Sequence, residues 1–196
     1  GGCLAVPVTT TVQIKLAPTA VISPASQNIC QGTSANITVT LTGTAPWTIV
    51  YNNSVTNTNT TISGILTSPY TLVVSPAGNN TYTLVSVNDA VGCPNGAVSG
   101  SAQVVVKPLP TAAIQGNADQ TICTGSSATI PIVFTGGQPY SLTYNVNGAN
   151  PVTITGINTN NYNLVVSPVN NGTSPATFNY ALTAVVDGIP CTGNVF

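Results

Sequence analysis

The stretch "PTAVISPASQNICQGTSANITVTLTGTAPWTIVY", residues 18–51, returns as "PTAAIQGNADQTICTGSSATIPIVFTGGQPYSLTY", residues 110–144. Both copies place Gly and Pro or Gln around runs such as "ANITVTLTG" and "WTIVYNN", in which apolar and hydroxyl residues alternate. A period of two with Val, Ile, Thr and Tyr is the pattern of a half-buried strand, and a helical period is found nowhere in the chain. Strands that recur with turn residues between them predict an all-β antiparallel sandwich, not strands joined by crossover helices.

The repeat continues beyond these blocks. "YTLVVSP" matches "YNLVVSP", and "YTLVSVNDAVGC" matches "YALTAVVDGIPC", with Tyr82 and Cys93, like Tyr180 and Cys191, eleven positions apart. Between the last two blocks the second copy carries the longer loop "VNNGTSPATFN". Two homologous domains follow, residues 18–109 and 110–196. "VQIKLAPTAVI" at Val12 parallels "VVVKPLPTAAI" at Val104, so residues 1–17 read as the final strand of a further copy of the second domain. The second copy runs to Phe196 without a strand of that kind. The chain thus reads as one full period of a two-domain repeat.

In the first copy strands are predicted at Ala20–Ser23, Ala35–Thr42, Trp47–Asn52, Thr60–Ile65, Tyr70–Ser75, Tyr82–Asn88 and Ser101–Lys107. Trp47, replaced by Tyr140 in the second copy, and Tyr82 and Tyr180 stand where immunoglobulin-like sandwiches keep a core aromatic and a corner tyrosine, and plain core packing is the favoured role for all four. Pro131 lacks an N–H, so it belongs at a bulge or where the first strand leaves the sheet.

Composition narrows the function. Of 196 residues 42% are hydrophobic and 3% charged, against a usual share of about 25% charged. That is too apolar for disorder, and Lys15 and Lys107 alone give no basic face for nucleic acid. Nor does any apolar run reach the ~18 residues of a membrane span. The chain has no His, Glu, Arg or Met. General acid–base work would fall to Asp89, Asp119 or Asp187, and a Ser or Cys nucleophile would have no imidazole beside it, so no catalysis and no cofactor are expected. Without His or a CxxC pair no transition-metal ligand set forms, and Asp89 and Asp187 stand alone in their loops, where a turn-forming role is favoured over calcium. A carbohydrate-binding module is the rival class; its exposed aromatics would have to be Tyr51, Tyr144 and Tyr162. Five sequons, at Asn36, Asn52, Asn59, Asn79 and Asn171, are expected by chance in so Asn- and Thr-rich a chain, with Asn59 and Asn171 in the longer loops the best placed.

The pattern "ICQGTSANITVTLTGTAPWTI…SPYTLVVSP…YTLVSVNDAVGC…SGSAQVVVKPLP" resembles the Ig-like tandem repeats of giant Bacteroidetes cell-surface proteins, including gliding-motility-type adhesins exported by type IX secretion. The resemblance covers essentially the whole chain and implies an extracellular, repetitive, fibre-forming or adhesive protein. Its partners would be further copies of itself, head to tail, with lateral self-association as a further option.

Topology adds two expectations. Strands that alternate in direction put Cys30, before the second strand, and Cys93, after the sixth, at opposite ends of one sandwich, too far apart for a disulfide. The head-to-tail pairs Cys30–Cys191 and, between copies, Cys123–Cys93 are therefore expected, with Cys30–Cys93 and Cys123–Cys191 as the alternative and Cys3 left over. The prolines of "KLAP" and "KPLP" stiffen the connections. Leu4, Val6, Val8, Val12 and Ile14 form one face of a strand expected to pair with Tyr180, Leu182, Ala184 and Val186 of a preceding unit. A covalent tandem array and a polymer of strand-donating subunits both give this geometry, and boiling in reducing SDS separates them.

Overall fold

The computed structural model describes residues 8–93, 96–116 and 119–196. The chain forms two compact units, Gly1–Gln27 with Ser34–Val105 and Asn28–Thr33 with Val106–Phe196. All regular secondary structure among the described residues is β-strand.

The first unit contains β1 (Thr19–Ser23), β2 (Ser26–Cys30, whose last three residues belong to the second unit), β3 (Ala35–Thr42), β4 (Trp47–Asn53), β5 (Thr58–Ile65), β6 (Tyr70–Val74), β7 (Asn80–Asn88), β8 (Ala97–Ser99) and β9 (Ser101–Lys107). They make two sheets, ordered β6-β3-β1-β8 and β2-β9-β7-β4-β5. The alternation in β3 is realised residue by residue: Ala35, Ile37, Val39 and Leu41 are buried, and the polar residues between them are not. Ile37, Val39 and Leu41 contribute about 1.5–3 kcal/mol each relative to exposure. In β7 the parity changes between Leu84 and Val87, both buried, because Val85 is an extra residue in the ladder: Tyr51 pairs with Leu84 and the preceding Val50 with Ser86. The strand at Thr58–Ile65 pairs with β4, which the sequence pattern did not assign to a sheet.

The second unit repeats this plan with β10 (Thr111–Ile114), β11 (Ala128–Thr135), β12 (Tyr140–Val146), β13 (Ala149–Ile157), β14 (Asn161–Val166), β15 (Tyr180–Val186) and β16 (Asn194–Val195), in sheets ordered β14-β11-β10-β16 and β13-β12-β15. Tyr140 stacks on Phe134 at 4.7 Å between ring centroids in the middle of its core. Asn147 and Gly148, both with positive φ, make the tight β12–β13 hairpin. Pro131 sits where the first strand stops: β1 pairs Ser23 with Thr38, but β10 ends at Ile114 opposite Ile132, one residue short of Pro131. Asn59 lies within β5, not in a loop, and its side chain accepts a hydrogen bond from Asn52, which corrects its expected setting.

Candidate functional site

The two copies differ at one sheet edge. In the first unit β7 lies between β4 and β9, with Asn80↔Val104, Thr81↔Gln103, Tyr82↔Ala102 and Thr83↔Ser101 in register, and β2 covers the far side of β9. Ala102 and Val104 of β9 are fully buried by this arrangement. In the second unit β15 ends its sheet, and among the described residues no strand lies on its outer side along Tyr180–Ala184. The segment Asp119–Cys123, equivalent to β2, forms no strand and, among the described residues, has no strand partner. Between it and the start of β15 lies a cavity of about 530 Å³, lined among others by Ile122, Cys123, Ala128, Ile130, Phe178 and Tyr180.

The consequence is read in the burial of equivalent residues. Ala35, Tyr82 and Leu84 are buried in the first unit, whereas Ala128, Tyr180 and Leu182 are only half-buried in the second, and Ile29 of β2 is buried where its counterpart Ile122 is half-buried. The apolar faces that β9 covers in one copy are open in the other. Burial is still enough to push the Tyr180 phenol above its ordinary value, with the neighbouring Tyr144 ring adding to the rise.

The expected acceptor residues are only partly open. Tyr180 lines the cavity, Leu182 lies one residue beyond the counterpart of Asn80–Thr83, Val186 is already bridged to Thr192, and the Gly193 N–H donates to the Val185 carbonyl. The closing turn of β15 thus occupies the outer edge at Val186, and that residue is withdrawn from the acceptor set. Ala184 lies outside the stretch whose counterpart, Asn80–Thr83, pairs with β9. The open ladder is instead Phe178–Ala181, the equivalent of Asn80–Thr83.

The expected donor segment is displayed, not packed. Leu4, Val6 and Cys3 lie outside the described residues. Val8, Val12, Ile14 and Leu16 are 97%, 84%, 92% and 88% exposed, and residues 8–17 form no strand. A row of aliphatic side chains that open to water is unusual in a soluble domain. The Lys15 carbonyl lies 3.8 Å from the Cys93 sulfur.

Of the cysteines, Cys30 and Cys191 form a disulfide, while Cys93 and Cys123 are free thiols. Asp89 and Asp187 are buried loop anchors: Asp89 accepts from the Val91 and Gly92 N–H groups and from Thr44 N–H, and Asp187 from those of Gly137, Ile189 and Cys191. These contacts match the turn-forming role expected of both residues. Among the described residues no three Cys or Asp side chains gather as a metal cluster. The rings considered for carbohydrate are packing residues. Tyr51 lies against Tyr82, Tyr144 against Tyr180, and Tyr162 packs on the second core.

Residues 19–103 match a family model described as the Ig-like domain of nucleoporin POM152. Among solved structures, the fibronectin(III)-like modules of Clostridium thermocellum CbhA align over 91% of this chain and 93% of theirs, at 16% identity and a TM-score of 0.43. The FN1-FN3 domains of chicken CNTN1 align over 90% of this chain and 62% of theirs, at 12% identity and a TM-score of 0.42. A search of curated proteins finds no match. The chain is all-β with Ig-like architecture, a fold typical of structural and adhesion modules, and its disulfide is of the kind that persists in secreted and surface proteins.

Proposed function

We propose that this chain is a structural repeat unit of an extracellular fibre or adhesin stalk, assembled head to tail by strand completion between units. The observation that carries this reading is the match between a vacant strand position beside β15 and an exposed segment, residues 9–15, whose sequence aligns with β9. An open edge that flanks half-buried apolar residues is an aggregation hazard unless a strand covers it. Val12 and Ile14 of the segment that fits, like Val8 just before it, are exposed. The resemblance of the repeat to those of Bacteroidetes surface proteins supports placing the unit on a bacterial surface, and the packed rings of Tyr51, Tyr144 and Tyr162 favour a stalk over a carbohydrate platform.

Light scattering of the reduced chain over a range of concentrations tests the reading. Assembly to multiples of 19.7 kDa is expected. The Val12→Asp variant should stay at the unit mass with an unchanged melting temperature, since Val12 touches little in the single chain. A monomeric wild type at all concentrations, or assembly unaffected by Val12→Asp, would overturn it.

A further inference from the structure

We infer that the joint between two copies is locked by a disulfide from Cys123 of the copy that accepts the strand to Cys93 of the copy that donates it. This rests on the strand-completion reading and adds a covalent bond, a direction and a register to it. The chain already contains a finished example of the same arrangement. The Gln31 N–H donates to the Lys107 carbonyl at the end of β9, and the adjacent Cys30 is bonded to Cys191. All four of these residues belong to the second unit.

The repeat supplies the counterpart of each, split into two halves. Cys123 and Thr124 correspond to Cys30 and Gln31, lie at the cavity beside β15, and leave the thiol exposed. Lys15 corresponds to Lys107 and Cys93 to Cys191, and these two already touch, sulfur to carbonyl, at 3.8 Å. The first-unit register transferred to the second places Thr10 opposite Tyr180 and Val12 opposite Phe178, with Thr10 and Val12 facing inward as Ala102 and Val104 do. Lys15 then reaches Thr124 as Lys107 reaches Gln31, and it brings Cys93 to Cys123. The seated strand also gives Asp119–Cys123 the partner that β9 gives β2.

The bond forms by exchange with an external disulfide, such as oxidised glutathione or an oxidoreductase. One thiolate attacks it to give a mixed disulfide, and the second thiolate displaces the remaining thiol. Two protons and two electrons leave the cysteine pair, and the oxidant departs as two thiols. Seating the strand converts a bimolecular encounter into a local one, so pairing should run on the order of a hundredfold faster than between unseated thiols at micromolar concentration.

The test uses full chains in a Cys3→Ser background. One carries Cys93→Ser and so offers Cys123; the other carries Cys123→Ser and so offers Cys93. Mixed in oxidised glutathione, they should give a band at twice 19.7 kDa on a non-reducing gel. Mass spectrometry of that band should find Cys93 joined to Cys123. Neither variant alone should give the band, and adding Val12→Asp to the Cys93 donor should abolish it. Homotypic dimers as abundant as the mixed one, or a mixed dimer indifferent to Val12→Asp, would overturn the inference. Light scattering of the same samples separates the two levels: assembly dependent on Val12 without the cross-link removes the disulfide alone, and no assembly removes strand completion with it.

Discussion

Cys30 and Cys191, separated by 161 positions in the sequence, are joined with their Cα atoms 5.6 Å apart. Closing so long a loop restricts the unfolded chain far more than the folded one, and the chain-entropy model assigns such a bond about 2–5 kcal/mol. Adding a reductant, or the double substitution Cys30→Ser/Cys191→Ser, should therefore lower the denaturant midpoint of the second unit by a corresponding amount. Urea unfolding followed with and without reductant checks this; equal midpoints would contradict it.

Asp187, itself buried, gathers three backbone N–H groups. Asp187→Ala leaves those donors without their acceptor, at about 1–3 kcal/mol for each group that water cannot reach. The expected loss is about 2–4 kcal/mol in the second unit, with the first unit's transition unmoved. Asp89→Ala should do the reverse, and calorimetry with two resolved transitions reads both.

Gly43 combines a φ of 106° with a close neighbour, for a Cβ there would stand 2.7 Å from the Asp89 carboxylate. Gly43→Ala therefore meets both backbone strain and displacement of the loop anchor. A loss of about 1–3 kcal/mol is expected. Gly78→Ala, at an open site without positive φ, should change little, and thermal melts of the two variants compare them.

Strand positions were legible wherever apolar alternation was long enough to read, as in Ala35–Thr42, which the structure reproduces at both ends. β2 and β8 were not, because "SQNIC" and "AVS" are too short for an alternation to show and exist as strands through their partners. The partner of β5 was equally hidden, since a period of two states which face is buried and not which neighbour it joins. In the second copy the turn at Asn147-Gly148 holds β13 beside β12, a pairing the strand pattern alone did not reveal. The acceptor edge was misplaced towards Val186 because the bridge to Thr192 depends on a turn, Gly188–Cys191, with no alternation to betray it.

Three phenols are held above their ordinary pKa, chiefly by burial: Tyr82 with help from Tyr51, Tyr140 from Asp187, and Tyr180 from Tyr144. A phenol whose native pKa exceeds its unfolded one stabilises the fold fully below about pH 10, and that contribution is lost as pH rises through the native value. Melting temperature should thus fall as pH climbs past about 10, with phenolate absorbance appearing together with unfolding. Ionisation of all seven tyrosines ahead of any loss of structure would contradict this.

Hydrogen exchange at the open edge of β15 tests strand completion most directly. The Val12→Asp chain keeps an intact slot but a disabled donor, so a synthetic peptide of residues 8–17 can be added to it in trans. The peptide should slow exchange of amides in Phe178–Ala181 and in Asp119–Cys123, leaving β5 and β13 unchanged, because a seated strand pairs with both flanks of the cavity. Unchanged exchange in both flanking segments at saturating peptide, or protection confined to another sheet edge, would contradict strand completion at this site.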